Sequence, residues 1–204
     1  MPRTGERGGP QTRARILEVA ARLFLERGFD AVTVTEIARE AGVSSVTVFN
    51  HFPRKEDLFL DRQVDAAEFL RAAVRDRDSG LDELASLREM TLRLVDDRHP
   101  LSGLNDRSVP FFRTVAASPS LVARAREIAA DLQRTLAEEL EREYTFHNDA
   151  TLFAAFFIAG YATVLVETAR RRVAGESLDA VLDDHRARLE LLFDALRNGV
   201  ATRS

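Results

Sequence analysis

Apolar residues recur at intervals of three and four along nearly the whole chain, the spacing of one helix face, while the strict alternation of strands is scarce. Ile16, Leu17, Ala20, Leu23 and Phe24 predict a helix over 12–27, stopped at Gly28. Ile37, Ala38 and Ala41 predict a short helix after Thr33, and a second short one spans 45–51, before Pro53. Leu58, Phe59, Val64, Phe69, Leu70 and Val74 continue as a stripe along a helix over 55–75. Further helices follow over 81–95, 107–117 and 119–142, the last with Ser118-Pro119 as a start signal and a narrow stripe of Leu121, Ile128, Leu132, Leu136 and Leu140. Asn148 is placed to cap a helix reaching 173 that is apolar nearly all round, and Ser177 opens a last one ending near 198. The fold class is therefore all-α, with about nine helices, no internal repeat and no sustained heptads.

Composition refines this picture. A 204-residue chain with 45% hydrophobic and 30% charged residues can bury a real core beneath solvated helices. There is no cysteine, which excludes disulfides and thiolate metal sites and is compatible with the cytoplasm. The first ten residues lack the apolar core of a signal peptide, and the apolar stretch over 152–166 is too short to span a bilayer, so the expectation is a cytoplasmic protein with no membrane partner. The net charge of −4 hides an asymmetry: residues 1–55 hold nine Lys/Arg against six Asp/Glu, and the rest holds 20 against 27. A small basic segment on an acidic body suits nucleic-acid binding. An enzyme is not expected. The four histidines are scattered, no metalloprotease, nucleophile-elbow or phosphate-loop motif is present, and Asp96-Asp97 and Asp183-Asp184-His185 read as solvated helix faces. No cofactor and no metal are called for.

The chemistry concentrates in 33–58. Thr33 followed by Glu36 is a capping box, Gly42 supplies a residue free to take positive φ, Val43 plugs the turn, and Ser44 caps the second short helix. Helix, Gly-containing turn and helix make a helix-turn-helix, which lays its second helix in the DNA major groove. Thr33-Val34, Ile37-Ala38, Ala41-Gly42-Val43-Ser44, Thr47-Val48-Phe49, Phe52-Pro53 and Lys55-Glu56 with Leu58 resemble the N-terminal domain of the TetR family of transcriptional regulators, over about residues 12–60. The organisation expected is a disordered arm over 1–11, a three-helix reader over 12–58 with Phe24, Ile37, Val48 and Phe52 inside, and a helical effector-binding and dimerisation domain over 59–204.

The candidate DNA contacts are Thr33, Ser44, Ser45, Val46, Thr47, Asn50, His51 and Lys55. Val46 and Thr47 suit a thymine methyl, Asn50 suits bidentate pairing with adenine, and the Ser45 and Thr47 hydroxyls suit phosphate equally well. The resemblance implies phosphate contacts for His51 and for Lys55, the only lysine, at the start of the 55–75 helix. It also implies a small residue at 46 and often tyrosine in this helix; Val46 and Phe49 depart from both, so base preference does not carry over and Phe49 reads as packing. Arg3 and Arg7 are candidates for a phosphate or minor-groove contact.

The resemblance further implies a homodimer through the last two helices, about 150–172 and 178–197, reading a palindromic operator. It implies a regulator, most often a repressor, with an effector cavity between the middle helices and the inner face of the eighth. Phe111, Phe112, Phe153, Phe156, Phe157 and Met90 are the candidate walls, and Asn105, Arg113 and Tyr161 the candidate polar contacts. The effector expected is a mainly hydrophobic small molecule, aromatic or acyl-chain-like, with an anionic group as an option; the same phenylalanines would equally well fill a core. A DNA-bound scaffold or activator without an inducer is the alternative function.

Overall fold

The computed structural model describes residues 8–105 and 107–200, and among these the regular structure is entirely helical. Nine α-helices run α1 Gly8–Arg27, α2 Val34–Glu40, α3 Ser45–His51, α4 Gln63–Arg75, α5 Glu83–Asp96, α6 Ser108–Ala117, α7 Pro119–Arg142, α8 Ala150–Val173 and α9 Leu178–Ala195 among the described residues. The described residues fall into two compact units, 8–61 with 114–124, and 62–105 with 107–113 and 125–200.

In the first unit, Ile16, Ala20, Leu23 and Phe24 of α1 close over Phe29, Ile37, Val48, Phe52 and Leu58. Phe24 and Phe29 pack with tilted rings, centroids 5.0 Å apart, and Phe59 meets both edge-on at 5.9 and 5.8 Å. The sequence did not announce the last member of this core. Leu121, in the first turn of α7, is completely buried in it. Segment 114–124 is clipped to the same unit by a Ser118 hydroxyl donating to Asp30 Oδ1 at 3.0 Å and by Arg124 Nε on Asp57 Oδ1 at 2.7 Å. The reader is thus more than residues 12–58.

Three boundaries differ from expectation. Helix α1 begins at Gly8, not Thr12, because Pro10 falls in a first turn where its missing N–H costs nothing. Residues 8–11 are therefore helical, while Arg3 and Arg7 lie outside the described residues. The single helix expected over 55–75 is broken. Lys55–Leu58 is a tight 3-10 turn in which Asp57 Oδ2 accepts the Arg54 N–H at 3.1 Å, and Phe59 then turns into the aromatic core before α4 starts at Gln63. Finally, Asp149 rather than Asn148 caps α8, accepting from the Leu152 N–H at 2.9 Å.

The second unit has a larger core in which Leu87, Leu136, Leu140, Phe153, Phe157 and Leu189 are almost fully buried. Gly160 sets the approach of α8 to α9, since a Cβ there would lie 2.3 Å from Leu192 Cδ1. Across the same pair, the Thr168 hydroxyl and His185 Nδ1 hydrogen-bond at 2.7 Å inside the core. Glu139, 2% exposed, is held by a bidentate pair from Arg75 at 2.5 and 2.7 Å, which offsets the cost of burying a carboxylate. Helix α8, at 24 residues, is longer than the apolar stretch 152–166 and meets the length and composition of a bilayer-crossing helix, a test that a core helix also meets. Its two faces differ: Phe153, Ala154, Phe157 and Val164 are core, whereas Leu152, Phe156 and Val166 are exposed.

Candidate nucleic-acid interface

Helices α2 and α3 are short enough that their caps decide their geometry. Thr33 Oγ1 accepts the Glu36 N–H at 3.2 Å, while the Glu36 carboxylate accepts the Thr33 N–H and hydroxyl, each at 2.8 Å. Arg27 adds a 2.8 Å bond to the other Glu36 oxygen. That arginine first, and Thr33 second, hold the Glu36 carboxyl down to about 2. Gly42 takes φ +64°, where a side chain would be strained, and passes the chain to Ser44. Ser44 Oγ accepts the Thr47 N–H at 3.0 Å and pairs with the Thr47 hydroxyl at 2.8 Å.

This frame fixes the face that α3 presents. Val48 points into the core. Val46 at 68% and Phe49 at 48% are exposed, and Asn50 is exposed beside them. Residues 46, 49 and 50 lie three and four apart, so they share one face. The expectation that Phe49 is a packing residue is therefore corrected: it stands on the surface of α3, and its helical spacing from Val46 was the signal that could have shown it. Two exposed apolar side chains and one carboxamide suit thymine methyls and an adenine edge. Ser45, Thr47 and His51 are partly exposed around this face, and Thr33 and Ser44 are exposed at the helix starts. The Thr33, Ser44 and Thr47 hydroxyls are engaged in capping bonds, so they would meet a phosphate through their remaining donor or acceptor capacity.

Lys55 sits in the 3-10 turn, not at the start of α4. Its Nζ lies 4.3 Å from the Phe29 ring centroid and 3.5 Å from the Asp30 carbonyl oxygen. Burial, more than the nearby carboxylates offset, lowers its pKa. Arg13, on α1, covers the Phe52 ring at 4.9 Å, a second cation placed against the aromatic floor of the reader.

The candidate effector residues are less united. Phe153 and Phe157 are core, and Phe157 packs with Tyr161 at 6.3 Å and with Phe193 at 5.9 Å. The Tyr161 hydroxyl donates to the Leu101 carbonyl at 3.0 Å, and burial raises its pKa. Phe111 and Phe112 meet edge to face at 5.3 Å, with Phe112 pressed against Gly103. Asn105 is spent on the start of α6, its side-chain oxygen accepting from the Arg107 N–H at 2.9 Å and the Ser108 hydroxyl at 3.0 Å. Phe156, at 53% exposed, and Arg113, also exposed, do not join the buried set. Met90 alone of the nine lines an open groove of about 440 Å³ along α4 and α5.

Residues 16–61 match the family profile described as "Bacterial regulatory proteins, tetR family". The HTH-type transcriptional repressor KstR2 of Rhodococcus jostii is 34% identical over 137 residues, 65% of this chain and 59% of that protein. KstR2 of Mycobacterium tuberculosis is 39% identical over 64 residues, covering 31% of this chain and 32% of that protein. The matches thus span less than two thirds of these relatives' lengths. Among solved structures, Thermus thermophilus FadR, a TetR-family transcriptional repressor in complex with lauroyl-CoA, aligns with a TM-score of 0.58 at 28% identity, covering 94% of this chain and 96% of that one. A SmeT–triclosan complex aligns at 0.57 and 18% identity over 91% and 90%, a likeness of fold alone.

Proposed function

The chain belongs to the TetR family of transcriptional regulators, and from that premise we propose that it is a repressor that binds a palindromic operator as a homodimer and leaves it when a small hydrophobic effector occupies the α4–α9 body. The observation that carries the DNA reading is the exposed face of Val46, Phe49 and Asn50 on a helix fixed by caps at Thr33 and Ser44. Support for repression comes from the relatives, named as repressors. The bound lauroyl-CoA of the Thermus thermophilus protein supports an apolar effector for this one. No enzymatic role is proposed, and the cytoplasm, where DNA is reached, is the proposed location.

The dimer reading rests on an uncovered stripe. Leu152, Phe156 and Val166 on α8 are 52%, 53% and 65% exposed, and Leu191 on α9 is 68% exposed. Residues 152, 156 and 166 recur at helical spacing along one side of α8. A symmetric partner laying the same stripe against it would cover all of them, forming a four-helix bundle. Phe156 thus moves from the candidate pocket to the candidate interface.

The experiment is selection of bound fragments from a genomic library with the full chain, followed by light scattering. Recovered sites should share two half-sites about one helical turn apart. Phe156→Asp should give a monomer with weakened operator binding. Recovery of unrelated sequences would sink the DNA reading, and an unchanged dimer would sink the interface.

A further inference from the structure

The arginines of the reader divide by place. Toward the end of α1 each is answered by a carboxylate: Arg22 bonds Glu26 at 3.4 Å and Glu40 at 3.1 Å, and Arg27 bonds Glu36 at 2.8 Å. Arg39 on α2 faces Glu40 at 3.7 Å. Toward the start of α1 the pattern reverses. Among the described residues neither Arg13 nor Arg15 makes a hydrogen bond or an ion pair, although Glu18 follows Arg15 on the same helix.

A second observation is independent of charge: both unpaired guanidinium groups hold defined places. Residues two apart on a helix point about 200° away from one another, so Arg13 and Arg15 leave α1 on opposite sides of its buried seam of Ile16, Ala20 and Leu23. Arg13, half-buried, lies 4.9 Å from the ring centroid of Phe52, the residue that ends α3. Arg15, exposed, brings Nη2 to 3.9 Å from where a Cβ would stand on Gly42, in the turn that leads into α3. The two cations bracket the helix that carries the exposed face of Val46, Phe49 and Asn50. A cation over an aromatic ring keeps its charge, and the stack holds the side chain in one place, so a ligand has little ordering left to impose. With α3 in a major groove, the anions nearest its two ends are the backbone phosphates that border the groove.

We propose that Arg13 and Arg15 form a phosphate clamp, each binding a backbone phosphate beside the groove that α3 enters, and so set the position of α3 without reading sequence. The proposal rests on the DNA reading above and adds to it two contacts from α1, a helix to which that reading assigned none. Arg22 and Arg27, whose charges are balanced within the reader, hold α1 to α2 instead.

The test is a salt titration of the full chain on a mixed-sequence DNA duplex, since phosphate contacts need no operator. Arg13→Gln and Arg15→Gln each remove the charge, and each should lower the salt slope by about 1 for every half-site bound. Between roughly 50 and 200 mM salt, the advantage of wild type over either variant should therefore shrink about threefold per half-site. Arg15→Lys should restore the slope, because a point charge also meets a phosphate. Arg22→Gln changes the net charge equally and should leave the slope at its wild-type value. Arg15 is exposed, so its variants read the clamp even where Arg13→Gln lowers the melting temperature. With single methylphosphonates scanned along the selected operator, wild type should lose affinity at a backbone position to which Arg15→Gln is indifferent. An unchanged slope in Arg15→Gln, an equal loss of slope in Arg22→Gln, or no rescue by Arg15→Lys would overturn the clamp and leave the DNA reading standing. A wild-type chain that binds no duplex at all would sink the DNA reading and the clamp with it.

Discussion

The reader and the body use their polar side chains over different distances. In the helix-turn-helix of the reader the caps act locally, and segment 114–124 is fastened to it by longer bonds, Ser118 to Asp30 and Arg124 to Asp57. Thr33 with Glu36, Ser44 with Thr47, and Arg54 with Asp57 are each three residues apart, and each fixes one short element. In the body they act across the chain. Arg75 reaches Glu139 over 64 residues, Arg88 reaches Glu190 over 102, and Thr168 meets His185 over 17. Local caps hold a short helix in one orientation and leave its outer face free to meet DNA. Long-range pairs instead fasten long helices that are apolar on several sides and would otherwise be free to slide.

The largest expected effect tests where the reader ends. Leu121→Ala removes a fully buried side chain from the reader core, so urea unfolding should show a loss of about 2–5 kcal/mol together with loss of DNA binding. A change under about half a kcal/mol would show that the first turn of α7 does not serve the reader, and the comparison would need redrawing.

Next comes the body's buried pair. Burial, with Asp184 opposing and Arg186 assisting only weakly, lowers His185 to about 4. The unfolded chain protonates this histidine below its ordinary value near 6.5, while the folded one resists until about 4. Stability from this site is therefore complete above about 6.5 and lost as pH falls through 4, a change of roughly 3 kcal/mol at most. Melting curves of His185→Gln should be flatter than wild type across that window, and parallel curves would place the acid sensitivity elsewhere.

Removing a local cap should cost less. Thr33→Ala should lower stability by about 1 kcal/mol, seen as a lower melting temperature with the body's pH response intact. Glu36, depressed to about 2, favours folding above 4.5, and that contribution fades as pH falls from 4.5 through 2. Thr33→Ala should shift this acid limb upward, because the carboxylate loses one of its partners. The smallest effect is expected at Lys55. Its ammonium is partly committed to Phe29 and Asp30, so Lys55→Ala should lower the salt slope of DNA binding by about 1 or less, without changing sequence preference.

The same contrast of distance explains what could be read from sequence. Thr33, Glu36, Gly42 and Ser44 were legible because capping and turn chemistry are spelled by neighbours in the chain. The break between Lys55 and Gln63 was hidden, since the apolar stripe runs on and only the turning of Phe59 onto Phe24 and Phe29 interrupts the helix. Leu121 looked like any stripe residue of a long helix, and its place in the reader is a tertiary fact. Periodicity marks a residue as apolar on a face without saying what covers that face. Phe153 and Phe156 looked alike in sequence, yet one is buried and the other half exposed. The effector residues were illegible for the same reason.

The claim that α3 reads base edges is tested most directly at Asn50, which is exposed on the face of Val46 and Phe49 and bears no core contact. Asn50→Ala should be titrated against the selected operator and against unrelated DNA at two salt concentrations. The account predicts a loss of about 1–3 kcal/mol on the operator, with unchanged affinity for unrelated DNA and an unchanged salt slope. Equal losses on both DNAs, or none on either, would contradict it.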